Sequence, residues 1–220
     1  MYDSHLRIRQ GRSSPIDKPA KLPGDTRIIA VSNFRRAPSQ SPSDTLRGAN
    51  YMGIFSTTEL NSMEDLLVNQ LEDLYDAEKR LTDALPKMAE AASSGSLRNA
   101  FTSHLQQTKD QIGRLDVAFR RLGRTPERET CQAMKGLISE GEEIINATGD
   151  PSVKDAALIA AAQRVEHYEI SGYGSARTFA KRLGHNEVAD LLQTTLQEES
   201  STDKLLTQIA EQQVNVKAMA

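Results

Sequence analysis

The chain has no tryptophan, a single cysteine and only 5% aromatic residues. One cysteine, Cys131, permits no internal disulfide, and a reducing compartment such as the cytoplasm fits that. So few aromatics, beside a hydrophobic share of 38%, suit helices packed through Leu and Ala better than a sandwich of sheets. Long apolar runs are missing as well, so no membrane span is expected. The longest run near the start, Ile28-Ile29-Ala30-Val31, is too short for the core of a signal peptide, which argues against secretion. A net charge of -3 offers no footprint for nucleic acid.

Proline is scarce and unevenly placed, with five of the eight in residues 1–51. That segment carries nine Lys/Arg against four Asp/Glu, whereas the remainder carries 18 against 26. Rich in Pro, Ser and Arg and without an apolar period, it has the composition of chain that cannot bury enough surface to fold. Residues 1–51 are therefore expected to be a disordered basic tail. Its Arg and Ser content is a weak match to a transit peptide, against which the prolines argue.

From residue 52 onward the pattern changes to helical periodicity, and the expected domain spans 52–214, with a flexible end at 215–220. Asn61 or Ser62 caps a first helix with the inward stripe Leu67, Leu71, Leu74, Glu78, Leu81 and Leu85. Pro86 should kink or end its regular part, before a turn at Ser93-Ser94-Gly95. A second helix runs from Ser96 to Leu122, with Leu97, Phe101, His104, Thr108, Gln111, Leu115, Phe119 and Leu122 inward and Gly123 as its end. A long connection with one extra helix, about Glu129 to Ala147, follows. Asp150-Pro151 then starts a third long helix, ended by Gly184, with Leu158, Ala162, Val165, Glu169, Gly172, Ala176, Ala180 and Leu183 inward. The fourth runs from Asn186 to about Val214, with Val188, Leu191, Leu192, Thr195, Thr202, Leu205, Leu206 and Ile209 inward. Two hairpins joined by one long crossover give an all-α, ferritin-like four-helix bundle, with an extra short helix in the crossover.

Each stripe is interrupted midway by a polar group: Glu78, His104, Glu169 with Glu166 one turn before it, and Glu198 with Glu199. Alone, each has a bland explanation as a solvated rim residue or a hydrogen-bonded core histidine. Four interruptions at one level are harder to explain so, because buried carboxylates repel and resist desolvation unless protonated, paired or bound to a cation. Carboxylates with imidazole are a ligand set for iron, manganese or zinc. A weak internal repeat agrees, since Leu74–Glu78 overlays Val165–Glu169 and His104–Thr108 overlays Thr195–Glu199. The Glu-x-x-His signature usual for such centres is absent.

The motifs Leu-Tyr-Asp-Ala-Glu-Lys at 74–79, Ala-Leu-Pro-Lys-Met-Ala at 84–89, Ser-His-Leu-Gln-Gln-Thr at 103–108, Cys131 to Ile138, Asp155 to Ile159, Val165 to Ile170 and Glu198-Glu199 resemble the YciE/YciF-like ferritin-like proteins of bacteria. The resemblance covers residues 52–214. It implies a ferritin-like bundle, a homodimer, a link to bacterial stress responses and a two-metal centre, but no known reaction. Where that family reads His-Leu-Glu-Glu-Thr, this chain has Gln106 and Gln107, which bring no negative charge and imply one metal or weak binding.

Two functions follow as expectations. In one, iron or manganese, one or two ions, is held by Glu78, His104, Glu166, Glu169, Glu198 and Glu199 for oxidative or peroxide chemistry, with Tyr75 and Tyr173 nearby. In the other, the same layer is a metal-free hydrogen-bonded network in a non-enzymatic structural or assembly protein. Family members begin near Met-Gly-x-Phe, which matches Met52-Gly53-Ile54-Phe55, so the first 51 residues are expected to be an over-extended reading frame. The intact mass of the native protein is then expected to lack them, and native peptides from that segment would refute it.

Overall fold

The helices begin and end where capping chemistry requires. Residues 60–126 and 130–220 are described in the computed structural model. Both the expected tail, 1–51, and the stretch at Met52 lie outside them, as does Glu129. Helix α1, Met63–Ala91, is capped by Ser62, whose hydroxyl accepts from Asp65 N, with Glu64 and Asp65 in the first turn. It runs on through Pro86 instead of ending there. Helix α2, Gly95–Arg121, starts at the Ser94 cap and stops at Gly123, whose φ of 65° suits glycine. Helix α3, Gln132–Asn146, lies in the crossover against α1 and α4, and Met134 is buried beneath it. Helix α4, Pro151–Leu183, has Asp150 as its cap and Pro151 at its first position, and left-handed Gly184 ends it. Helix α5, Asn186–Ile209, continues through one π-helical turn, Ala210–Val214, into the short helix α6, Asn215–Ala218. The end expected to be flexible is thus helical through Ala218 and packs against α4.

Among the described residues the structure is all-helical. Hairpin α1–α2 packs on hairpin α4–α5, with α1 against α4 and α2 against α5. The apolar core is split in two. One half gathers Leu67, Leu71, Leu74, Leu115, Phe119, Tyr173, Val188 and Leu192. The other gathers Leu81, Leu85, Phe101, Leu158, Ile159, Leu206 and Ile209. Between them lies a polar layer containing Glu78, His104, Thr108, Gln111, Glu166, Glu169, Thr195, Glu199 and Thr202, all buried.

One inward assignment fails. Leu205 is exposed and Leu206 buried. Adjacent helical residues lie about 100° apart around the axis, so only one of such a pair can face a narrow core. The inner track of α5 is Thr195, Glu199, Thr202, Leu206 and Ile209.

Two contacts fix how the helices approach. Gly172 allows α4 close to α1, since a Cβ there would stand 2.8 Å from Leu74 Cδ2. At the end of the α1–α2 hairpin, buried Asp155 of α4 accepts from Ser93 N at 2.8 Å, Ser93 Oγ at 2.6 Å and Ser94 N at 2.7 Å. Asp155→Ala is expected to leave two backbone donors without partners and to cost roughly 2–3 kcal/mol, measured by urea unfolding. A loss under about 0.5 kcal/mol would show that the carboxylate does not hold the turn.

Candidate metal centre

Each helix brings its polar group to the layer because the buried stripe to which that group belongs, apolar toward both ends, fixes the face that turns inward. On α2, Phe101 and Leu115 bracket His104, Thr108 and Gln111. On α4, Val165 and Tyr173 bracket Glu166 and Glu169. The outcome is a compact group in which His104, Glu166, Glu169 and Glu199 each place one ligand atom within 4.8 Å of the others. His104 Nε2 lies 3.4 Å from Glu166 Oε1 and 3.6 Å from Glu199 Oε2. Of the residues expected in the site, Glu78 stands beside this group. It is fully buried, it accepts from Tyr173 Oη at 2.5 Å, and its charge bears on Glu169.

Glu198 is not among them. It is partly exposed and pairs with Arg114, and it accepts from Gln111 Nε2 at 3.1 Å. Glu199, its neighbour on the inner track, is fully buried and also accepts from Gln111 Nε2. Gln107 does not aim at the group of four. Its Oε1 lies 3.3 Å from His104 Nδ1, and Thr202 Oγ1 is 3.3 Å from the same nitrogen. Gln106 is exposed and donates to Asp110 Oδ1 at 3.2 Å. Of the tyrosines singled out, Tyr173 reaches the layer through Glu78, while Tyr75 packs edge-on against Phe119.

Several contributors escaped the sequence reading. Arg114 bonds to Thr195 Oγ1 at 2.9 Å through Nε and to Glu198 through its other end, closing the α2–α5 side of the layer. Its place one turn after the polar middle of α2 was the available signal. On the opposite side, Tyr168 donates to Asp73, and buried Cys131 Sγ sits 3.1 Å from the same hydroxyl. Nothing in the periodicity of α1 or α4 marks that trio, because it depends on where α3 lies.

The electrostatics are severe. Burial pushes the Glu78, Glu166 and Glu169 carboxyls well above the usual carboxylate range, and neighbouring carboxylates add to the effect in each case. Glu199 is raised less, since His104 and Gln111 offset part of its burial. Tyr173 is likewise raised, by burial first and then by Glu78. Six ligand-type atoms of this layer have no hydrogen-bond partner: Glu78 Oε2, His104 Nε2, Glu166 Oε2, both oxygens of Glu169, and Glu199 Oε2. Orphaned carboxylate oxygens in a dry interior need a proton or a cation. One imidazole nitrogen with several carboxylate oxygens fits iron or manganese in donor type, so the residues present suit such an ion.

Comparison with known proteins gives the family and the fold. Residues 62–219 match the family model described as "Domain of unknown function (DUF892)". Protein YciF of Escherichia coli (strain K12) is 48% identical over 160 residues, 72% of this chain and 96% of that one. The crystal structure of this E. coli stress protein superposes with a TM-score of 0.69 at 46% identity, covering 71% of this chain and 99% of that one. YcfI of Rhodopseudomonas palustris superposes with a TM-score of 0.67 at 44% identity, covering 70% and 98%. The chain belongs to the DUF892 family of YciF-like helical proteins.

Proposed function

We propose that this chain is a ferritin-like metal-binding protein of the bacterial stress response, with iron or manganese held by His104, Glu166, Glu169 and Glu199 and with Glu78 as a further carboxylate beside them. The observation that carries the reading is the set of six unpartnered ligand-type atoms in one buried layer. When bound, such an ion supplies one-electron chemistry toward oxygen or peroxide. The remaining roles belong to the chain's own residues. Gln107 and Thr202 hold the His104 ring through Nδ1. With Nδ1 donating to the Gln107 carbonyl, the Nε2 lone pair would be free for a cation held between it and the Glu166 and Glu199 carboxylates, the arrangement usual for a metal-bound imidazole. Position 107 thus orients a ligand in this reading. Tyr173 fixes Glu78 and can pass a proton to it. The two apolar halves of the core enclose the layer from either end.

A cytoplasmic homodimer belongs to the same reading, carried by the family resemblance and the single cysteine, and sedimentation velocity checks it. Among the described residues no helix is long and apolar enough to cross a membrane. The rival reading, a metal-free network that fixes helix register in a structural or assembly protein, makes the opposite predictions.

Restoration of stability by added metal separates them. Carboxyls whose folded-state pKa lies above the unfolded value stabilise the fold fully below about pH 4, and that stability is lost as pH rises through the raised range. In chelator, the melting temperature is therefore expected to fall as pH rises above the usual carboxylate range. Manganese(II) or anaerobic iron(II) at about 100 times its Kd should restore about 2.7 kcal/mol near pH 7.5, and His104→Ala should abolish the restoration. No restoration in the unaltered protein would favour the metal-free network.

Gln107→Ala should weaken manganese affinity roughly 10- to 100-fold while leaving stoichiometry unchanged, as loss of a group that orients a ligand does. A lowered stoichiometry, measured by calorimetry, would instead make Gln107 a ligand.

A further inference from the structure

The buried group must be reached from solvent, and the two sides of α5 differ in what they offer a cation. On the α2–α5 side stands the guanidinium of Arg114, bonded to Glu198 and Thr195. That ion pair leaves neither charge free for an incoming cation. On the α4–α5 side stands Asp203. Its Oδ1 lies 3.3 Å from His167 Nε2 and accepts from Gln163 Nε2 at 2.9 Å. Gln163 also donates to Thr207 Oγ1 at 2.8 Å, which ties α4 to α5 just outside the layer.

His167 adjoins Glu166 in sequence, and Gln163 precedes Glu166 by one turn, so the residues that touch Asp203 flank Glu166 on α4. Side-chain exposure falls along this line from 69% at His167 to 21% at Asp203 and 2% at Glu166. Glu166 faces His104 through Oε1, and its Oε2 is buried without a partner.

We infer that His167 and Asp203 form an outer cation site on the α4–α5 seam, which receives a divalent metal from solvent and passes it to Glu166. This rests on the metal-binding reading above and adds the route. An imidazole nitrogen and a carboxylate oxygen 3.3 Å apart are a two-donor stop for a divalent ion that keeps most of its waters. Transfer inward exchanges those waters for Glu166 and then His104. Because an outer site on the path speeds entry and exit alike, it sets the rate and leaves the final affinity unchanged.

The probe is cobalt(II), whose visible absorption changes when imidazole and carboxylate replace water, mixed with metal-free protein in a stopped-flow instrument. His167→Ala and Asp203→Asn are each expected to slow loading about tenfold, with unchanged Kd and final spectrum. Glu187→Gln removes an exposed carboxylate paired with Arg121 elsewhere on the surface and should leave the rate unaltered. Loading of both seam variants at the unaltered rate would overturn the route. Equal slowing by Glu187→Gln would reduce it to general electrostatic attraction and overturn it too, as would a changed final spectrum in either seam variant, which would place that residue in the inner centre. Absence of any cobalt spectrum in the unaltered protein would overturn the inner centre itself, a result distinct from normal binding at unchanged rates.

Discussion

The constraint on which the rest of this structure depends is the desolvation of carboxylates at the middle of a four-helix bundle. Glu78, Glu169 and Glu199 are fully buried and Glu166 nearly so. Left ionised and unpaired, such a group costs several kcal/mol. The fold holds it because the apolar core is complete on both sides, from Leu67 to Leu74 at one end and from Leu81 to Met88 at the other along α1 alone. A layer this unfavourable, set within packing this regular, is where function is to be sought.

The same constraint explains what surrounds the layer. Three groups near it offer a donor or a positive charge: Tyr173 to Glu78, Gln111 to Glu199, Arg114 to Glu198. The two oxygens of Glu169 receive none. Arg114 pairs with the partly exposed carboxylate of Glu198, and its charge also offsets part of the upward push on Glu78. The seam beside Arg114 is thus closed by an ion pair, whereas the seam beside Asp203 carries a carboxylate facing His167, although α5 contributes to both.

The internal repeat sharpens this asymmetry. Laying Leu74–Glu78 on Val165–Glu169 pairs Glu78 with Glu169, and both are fully buried. It also pairs Tyr75 with Glu166, and laying His104–Thr108 on Thr195–Glu199 pairs His104 with Thr195 and Thr108 with Glu199. Three of the four clustered ligand-type residues, Glu166, Glu169 and Glu199, come from the second hairpin, and His104 alone comes from the first. Two similar hairpins thus build an off-centre group, with Glu78 facing it across the pseudo-symmetric position.

Helix existence, the caps at Ser62, Asp150 and Gly184, and the presence of a polar layer were all legible in the residues, because capping and amphipathic period are local properties of a short stretch. Which member of each adjacent pair enters that layer was not. Glu198 and Glu199, like Leu205 and Leu206, compete for one inward direction, and the winner is set by the roll of α5 against α2 and α4. Gln107 and Arg114 likewise acquired their roles only when α5 brought Thr202, Glu198 and Thr195 against them. Asp203 met His167 and Gln163 through the same packing. Sequence determined the helices and their buried carboxylates through interactions between residues three and four apart, whereas helix roll and approach, which depend on contacts between residues far apart in the chain, decided which of them share a site.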